Sequence, residues 1–216
     1  KKKSSLDRQI PRLNIPDNIY YGTVTTKALT PRDRLECGSK ECCLLTNDGS
    51  ELTIELAQAL TLEGWQVVVL NFPESIVPRR VALPKAIDAV TLLEMNESAL
   101  LDPIQQVTSD FSNIGAFIHL SPKYADATQA EEIIKGIFLL AKHLKPSLNR
   151  AAKATRSWFV TVARLDGKLG LGSNEDFEPI MGGLCGLTKT LNWEWQSVFC
   201  RSIDLSPRLD LETAVN

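Results

Sequence analysis

The sequence lacks a long apolar run, a strong net charge and a secretion signal. No apolar stretch approaches the ~20 residues that a membrane-spanning helix needs, and no leader-type apolar region with a cleavage motif is found. Its 24 basic and 26 acidic side chains leave a formal net charge of -2, which does not favour nucleic acid or a membrane surface as a partner. With 44% apolar and 23% charged residues, the composition is that of a globular protein, and we expect it in the cytoplasm.

Histidine is scarce, and the cysteines are badly spaced for metal binding. The chain has five cysteines and two histidines, and Cys37, Cys42 and Cys43 lack the paired two-residue spacing of zinc ligands. Cys42 and Cys43 stand in an apolar run, where reduced cysteine packs as a small core residue. We therefore expect buried, reduced thiols and no metal, with a redox or metal role as the alternative.

Residues 1–40 differ in character from the rest of the chain. They are polar, carry three of the 11 prolines and show no sustained periodicity, which predicts a linker or N-terminal arm with a short strand at 20–26. The first residue is Lys rather than Met, so we expect a fragment of a longer chain. Residues 41–216 are then predicted to form one domain.

From residue 41 onward, apolar runs of strand length alternate with segments of helical period. Such strands, apolar throughout and separated by helices, indicate a parallel sheet covered on both faces. With right-handed crossovers this is an α/β, Rossmann-like, doubly wound fold, here degenerate and truncated. The predicted strands are 42–46, 65–70, 89–93, 114–120, 157–162 and 198–205; the predicted helices are 52–64, 98–111, 129–148, halted near Pro146, and 182–195.

Five segments in this order resemble the short-chain dehydrogenase/reductase family over residues 41–205. Residues 46–53 (Thr-Asn-Asp-Gly-Ser-Glu-Leu-Thr) stand at its glycine-rich turn, and 114–122 match the strand before its Asn-Asn-Ala-Gly segment. The other matches are the helix at 136–146, the strand at 158–162 and the helix at 186–194.

The resemblance places the family's three turn glycines on Asn47, Glu51 and Thr53, and only Gly49 lies in the turn. A diphosphate needs close backbone N–H groups there. Glu51 would add a carboxylate, at about 4 kcal/mol of repulsion for unit charges ~4 Å apart. Asp48 and Glu51 themselves are expected to form a solvated acidic surface.

The remaining positions that bind cofactor in the family are also altered. The ribose-binding acidic residue falls on Asn71, and the adenine-contacting aspartate falls near Glu94 or Met95. We therefore expect no cofactor-binding residue in this chain.

The catalytic residues of the family are missing as well. They include a tyrosine acid and a lysine four residues later, which lowers the tyrosine pKa, yet the sequence contains no Tyr-x-x-x-Lys. None of Tyr20, Tyr21 and Tyr124 has a lysine at that spacing. The resemblance places the tyrosine position on Phe177 and the lysine position on Met181, and it places the serine position near Arg164 and the asparagine position near Ile133. We therefore expect no catalytic residue.

Residues 157–161, 183–195 and 200–205 are similar to the structural subdomain of modular ketoreductases, and 161–167 is closer to iterative bacterial synthases of the polyunsaturated fatty acid or heterocyst-glycolipid type. This resemblance implies a non-catalytic half that supports the NADPH-dependent ketoreductase of a multidomain polyketide or fatty-acid synthase. Its partner is then the catalytic subdomain of the same chain. NADPH and phosphopantetheine act elsewhere in the parent, which is expected to be a homodimer acting on β-ketoacyl chains held by an acyl carrier protein.

Two other functions stay open. An active short-chain reductase with an atypical site would need Tyr124 or Lys168 as its acid. A docking module for acyl carrier protein, or for another synthase domain, would use a basic strip formed by Lys142, Lys145, Arg150 and Lys153.

Several residues that could belong to a functional site have ordinary structural interpretations. Residues 167–172 (Gly-Lys-Leu-Gly-Leu-Gly) lack the phosphate-loop arrangement and are expected to form a flexible loop after a strand. His119 is expected to be a hydrogen-bonded core or rim residue, and the pair Arg79-Arg80 an exposed loop. Of Trp193 and Trp195, two apart on a helix, one should enter the core and the other should face a partner.

Overall fold

The computed structural model describes residues 41–111, 113–123, 125–172 and 177–215, all within one compact unit. The predicted arm at 1–40 lies outside the described residues, as do Cys37 and the three tyrosines.

A six-stranded sheet forms the centre of the domain, and each neighbouring pair of its strands is parallel. The strand order is β3-β2-β1-β4-β5-β6, which confirms the predicted Rossmann-like fold class. The strands are β1 Cys42–Thr46, β2 Gln66–Asn71, β3 Asp88–Thr91, β4 Ile114–Leu120, β5 Ser157–Ala163 and β6 Val198–Asp204.

Helices connect the strands, and side chains cap the first three of them. Ser50, Asn96 and Asp126 each accept a hydrogen bond from a first-turn backbone N–H, which satisfies a donor that the helix itself cannot. The helices are α1 Glu51–Leu62, α2 Glu97–Asp110, α3 Ala127–Ala151, α4 Gly183–Glu194, which follows a 3-10 turn at Pro179–Gly182, and α5 Leu211–Val215.

The sheet separates two apolar layers. On one face, α2, α3 and α4 cover a large core in which the rings of Phe117 and Phe159 lie 5.0 Å apart and Trp195 meets Phe159 edge-on. On the other face, α1 and the short α5 pack over a smaller core. The two layers confirm that apolar runs in the sequence mark strands buried on both sides.

Helix α3 passes through Pro146 and ends at Ala151, so the predicted stop near Pro146 was wrong. An interior proline costs about 3 kcal/mol. Leu144, Leu148 and Ala151 are fully buried, and burying a single leucine contributes about 1.5–3 kcal/mol. Core packing along this face therefore outweighs the lost backbone hydrogen bond.

The predicted burial of Cys42 and Cys43 is confirmed, since both are fully buried and free. Burial raises the pKa of the Cys42 thiol to about 12 and also raises that of Cys43, so both stay protonated. Among the described residues, no helix combines the length and apolarity needed to cross a membrane, and no group of three or more metal-ligating side chains is present.

Candidate functional site

The direction of the crossovers reverses between β1 and β4, which lie side by side. In doubly wound sheets the ligand crevice opens at such a point, outside the carboxyl ends of the strands. Here the crevice lies beyond Thr46 of β1 and Leu120 of β4. The loops that follow β1, β2, β4 and β5 therefore build the candidate site.

Backbone N–H groups of the turn between β1 and α1 donate hydrogen bonds to side chains of the same turn. The N–H of Gly49 donates to Asn47 Oδ1 at 2.8 Å, that of Ser50 to Asp48 Oδ1 at 3.0 Å, and that of Leu52 to Ser50 Oγ at 3.2 Å. A diphosphate at a helix N-terminus would need such donors free. These three N–H groups already have hydrogen-bond partners within the protein.

Asp48 is the carboxylate inside the turn, and the prediction of a solvated Asp48 was wrong. Its carboxylate oxygens accept hydrogen bonds from the hydroxyls of Ser50 and Thr53, each at 2.7 Å, and the residue is 5% exposed. Glu51, the predicted source of repulsion, is exposed at the first position of α1. The buried negative charge thus comes from Asp48, and Thr53 at a family glycine position serves as its donor.

The chain that follows β2 covers this turn. We call residues 73–81 the strap. Gly49 adopts φ +85°, and a Cβ atom there would lie 2.5 Å from the carbonyl oxygen of Arg79 and 2.8 Å from Val77 Cγ1. The N–H of Val81 donates to Gly49 O at 3.2 Å. The space over the turn is therefore occupied by the protein itself.

Hydrogen bonds and buried side chains fix the position of the strap. Gln129, in the first turn of α3, donates from Nε2 to Ser75 O at 2.9 Å, and Ile76 and Val77 are buried. Arg80 donates to the carbonyl of Phe72 and is half-buried. The prediction that both arginines are exposed is thus correct for Arg79 and wrong for Arg80.

His119 lies near the carboxyl end of β4. It is fully buried, with Nδ1 2.9 Å from Thr46 Oγ1 and Nε2 3.3 Å from Ser121 Oγ, and its ring centroid is 5.7 Å from that of Phe72. Burial lowers the pKa of His119 to about 3, so it is neutral at physiological pH. The prediction of a hydrogen-bonded core histidine is confirmed.

An ion pair closes the other side of the crevice. Arg164, just after β5, places its Nη2 2.7 Å from Asp48 Oδ2 and donates from Nε to Ser121 O at 3.1 Å. The side chains are 14% and 0% exposed, respectively. Arg164 therefore joins the ends of β1, β4 and β5, near the position to which the resemblance assigns the family's catalytic serine.

A cleft of about 610 Å³ remains beside this ion pair. Phe177 and Met181 line it at the tyrosine and lysine positions, and both side chains are apolar. Ile133, at the asparagine position, is fully buried in the core. Lys168, offered as a substitute acid, is exposed and is absent from the lining. The described lining consists of Ser121, Pro122, Lys123, Ala125, Asp126, Gln129, Arg164, Leu165, Phe177, Glu178, Met181 and Pro207.

The glycine-rich loop at 167–172 is wrapped around carboxylates. Asp166 accepts hydrogen bonds from the N–H groups of Lys168 and Gly170, each at 2.8 Å, and from Gly172. Asp204 of β6 accepts from the N–H groups of Leu165 and Leu169. The loop follows β5 as predicted. These hydrogen bonds fix its conformation, so the predicted flexibility was wrong. Its N–H groups already donate to the carboxylates of Asp166 and Asp204.

The positions for ribose and adenine are also engaged in internal contacts. Asn71 accepts a hydrogen bond from Asn47 Nδ2 at 2.8 Å and donates to Thr91 Oγ1 at 3.3 Å, so amides link the ends of β1, β2 and β3. Glu94 is exposed, whereas Met95 packs against Gly136 of α3.

Three of the four residues of the predicted basic strip lie on α3, and each of the three makes a separate contact. Lys142 pairs with Glu97 of α2 at 2.7 Å, Lys145 lies over the ring of Trp195 at 5.7 Å, and Arg150 donates to Asn113 at 3.2 Å. Trp195 is 4% exposed and Trp193 is 81% exposed, which confirms the prediction that one enters the core.

No protein-family model matches the chain. In sequence it is 32% identical over 177 residues to one of the subunits of the polyunsaturated fatty acid synthase of Thraustochytrium sp.. That alignment covers 79% of this chain and 6% of the synthase polypeptide, so the chain spans a small part of its relative.

Solved structures of short-chain reductases share the fold. The 3-ketoacyl-(acyl-carrier-protein) reductase of Brucella melitensis, complexed with NADH, superposes with a TM-score of 0.55 at 18% identity over 77% of this chain and 75% of that one. A short-chain dehydrogenase/reductase from Burkholderia xenovorans gives 0.56 at 19% identity over 76% of each chain. The chain therefore has the fold of the short-chain dehydrogenases/reductases, and it is related in sequence to a segment of a polyunsaturated fatty acid synthase subunit.

Proposed function

We propose that this domain is the non-catalytic structural subdomain of a ketoreductase in a multidomain polyketide or fatty-acid synthase. It supports an NADPH-binding catalytic subdomain elsewhere in the parent chain, which reduces β-ketoacyl groups carried on the phosphopantetheine arm of an acyl carrier protein. The observation that carries the proposal is that the protein itself occupies the space over the turn after β1, where a diphosphate would bind. The strap covers the turn after β1, and the Asp48–Arg164 ion pair closes the opposite side.

The energetic cost of admitting a dinucleotide supports this proposal. A diphosphate at the turn would meet the Asp48 carboxylate, at about 4 kcal/mol for unit charges ~4 Å apart. If the ligand instead drew Arg164 away, the Asp48 carboxylate would stay buried without its cation, which costs about 3–5 kcal/mol. Micromolar binding supplies only ~8 kcal/mol in total, so either penalty would take up about half of it.

The side chains at the family's catalytic positions also support a non-catalytic role. Reduction of a ketone needs a group that protonates the carbonyl oxygen. Phe177 and Met181 carry no titratable proton, and His119, with its pKa lowered to about 3, is neutral at neutral pH. The titratable side chains of the lining, Lys123, Asp126 and Glu178, stand at none of the positions that the resemblance assigns to catalytic residues. Arg164 is held by Asp48. The domain would thus act by packing against its partner, for which exposed Phe138 of α3 and Trp193 of α4 offer apolar contacts.

Thermal unfolding with and without NADPH tests the proposal. At 1 mM NADPH, a site with a Kd of about 10 µM would add ~2.7 kcal/mol, which corresponds to a Tm increase of roughly 5–10 °C for a domain of this size. We expect an increase below about 1 °C, while an intact ketoacyl reductase measured in parallel shifts. A saturable increase at micromolar NADPH would reject the proposal.

A further inference from the structure

Helices cover the two faces of the sheet unequally. The helices α2, α3 and α4 pack on one face, whereas among the described residues only α1 and the five-residue α5 pack on the other. They leave an apolar groove of about 400 Å³ above β4 and β5 on that second face. This volume lies within the range of about 300–1,000 Å³ that is typical of small-molecule sites.

The floor of the groove consists of side chains that lie in register across the sheet. Ala116 of β4 is paired with Cys43 of β1 and with Trp158 of β5, so two small side chains lie beside a large one and leave a trough. Leu56 of α1 and Ala214 of α5 line its walls, and every one of the lining residues is apolar. The groove therefore offers a ligand hydrocarbon contacts along its length.

Two cationic side chains lie beside one end of the groove. Ile203 of β6 lines the groove and is 46% exposed, and Arg201 precedes it on the same face of the strand, roughly 6.5 Å away. Arg201 also lies in register with Val160 of the floor. Its guanidinium is 4.7 Å from the centroid of the Phe199 ring, and that of Arg156 is 5.6 Å from the same centroid.

These two guanidinium groups have no acidic partner among the described residues. Neither Arg156 nor Arg201 forms an ion pair there, and both are exposed. A guanidinium binds a carboxylate through two parallel N–H donors. A groove that is apolar along its length and cationic at one end is complementary to a linear hydrocarbon chain with an anionic head.

We propose that this groove binds a long-chain carboxylic acid, with its hydrocarbon chain above β4 and β5 and its carboxylate at Arg201 and Arg156. The site goes beyond the proposed function, because it needs no cofactor and shares no lining residue with the cleft beside the ion pair. Burial of the chain supplies affinity, and the arginines select the anionic head.

An alkyl chain suits this groove better than an extended segment of protein. Each residue of such a segment carries backbone N–H and C=O groups, which cost free energy when they are buried without partners. The side chains that line the groove are apolar and supply no such partners. A linear carboxylic acid has one polar group, and that group lies at the end where the arginines are.

Isothermal titration calorimetry on the 216-residue chain tests the inference with probes that share a dodecyl chain and differ in their heads. Each is used below its micelle concentration. Dodecanoate should bind one-to-one with a Kd of roughly 10 µM. Neutral dodecanol should bind roughly 10-fold more weakly, and cationic dodecyltrimethylammonium roughly 100-fold more weakly.

The length of the chain gives an independent readout. Each buried methylene group should change the affinity about 4-fold, so decanoate should bind roughly 15-fold more weakly than dodecanoate. Equal affinities for the two acids would show that the hydrocarbon chain is not buried, and would overturn the inference.

Two matched pairs of variants locate the ligand. Ile203→Glu places a carboxylate at the groove and should weaken dodecanoate binding by roughly 10-fold or more, whereas Leu93→Glu, at a residue that is 83% exposed and outside the groove, should not. Arg201→Gln should weaken dodecanoate binding by roughly 5-fold and leave dodecanol binding unchanged. The exposed Arg79→Gln should change neither.

Several results would overturn the inference. Equal affinities for the three heads would show that the arginines select nothing, and dodecanoate binding that Ile203→Glu leaves intact would place the ligand elsewhere. A dimer that Ile203→Glu dissociates would assign the groove to a second copy of the chain. If the complete synthase polypeptide shows no dodecanoate binding that is sensitive to Ile203→Glu, another part of it covers the groove. A Tm increase with NADPH would reject the proposed function and leave these affinities unchanged, so the two failures are distinguishable.

Discussion

Asp48 and Arg164 lie 116 residues apart in the chain and form a 2.7 Å ion pair at the carboxyl edge of the sheet. Asp48 follows β1 and Arg164 follows β5, and the carbonyl of Ser121, after β4, accepts a further bond from the same guanidinium. One pair thus joins the ends of three strands. In a nucleotide-binding relative, this edge holds the cofactor.

Removing one member of this pair should destabilise the domain strongly. Arg164→Ala leaves the Asp48 carboxylate buried without its cation, which costs about 3–5 kcal/mol. Urea unfolding monitored by circular dichroism gives the free energy of unfolding. The exposed Lys168→Ala is the control, expected to change it by less than about 0.5 kcal/mol.

Neutralising both members should restore much of that loss. Asp48→Asn combined with Arg164→Met removes both charges and keeps an acceptor for Thr53, so no buried charge is left unpaired. If the double variant is no more stable than Arg164→Ala alone, the uncompensated charge is not the cause of the instability.

Gly49→Ala should also destabilise the domain. A side chain at φ +85° is strained by about 1–3 kcal/mol, and the new methyl would lie 2.5 Å from Arg79 O, which pushes the strap off the turn. Gly186→Ala in α4 is the matched control. Nothing lies within 4 Å of its Cβ position, so a gain of about 0.5–1 kcal/mol is expected from helix propensity. Equal unfolding midpoints for the two variants would contradict the role of the strap.

His119 should make the domain sensitive to acid. The unfolded chain binds a proton at this histidine below pH ~6.5, while the folded protein, with its pKa lowered to about 3, does not. Its contribution to stability is therefore full above pH ~6.5. That contribution is lost as pH falls towards 3, by about 1.4 kcal/mol per pH unit.

His119→Gln isolates this contribution, because glutamine can bond to Thr46 and Ser121 but does not titrate. The free energy of unfolding, measured by urea titration between pH 4.5 and 6.5, should depend on pH less steeply in the variant than in the wild type, by one proton. Parallel slopes for the two proteins would show that His119 titrates normally in the fold.

Much of the fold was predictable because its signals are local. All six strands fall within about two residues of their predicted bounds, and β1 and β4 match at both ends. Apolar runs of strand length need only neighbouring residues to be recognised. The helix boundary at Pro146 was wrong because packing of Leu144 and Leu148 against the core decides it.

The candidate site was less predictable. A pattern of Asp48, Ser50 and Thr53 around a helix start is typical of an N-terminal capping turn, and this signal could have indicated that Asp48 is engaged rather than solvated. Nothing local, however, connects Asp48 to Arg164, or Gly49 to Val77 and Arg79. These contacts form between segments that are distant in the chain.

The sequence by itself determined the layered α/β architecture and the loss of the Tyr-x-x-x-Lys pair, since periodicity and a missing motif are properties of adjacent residues. Only the tertiary structure decided what fills the crevice. The strap and the Asp48–Arg164 pair depend on which loops meet at the carboxyl edge once β1, β2, β4 and β5 are aligned. A charge as costly to bury as that of Asp48 acquires its partner only through this alignment.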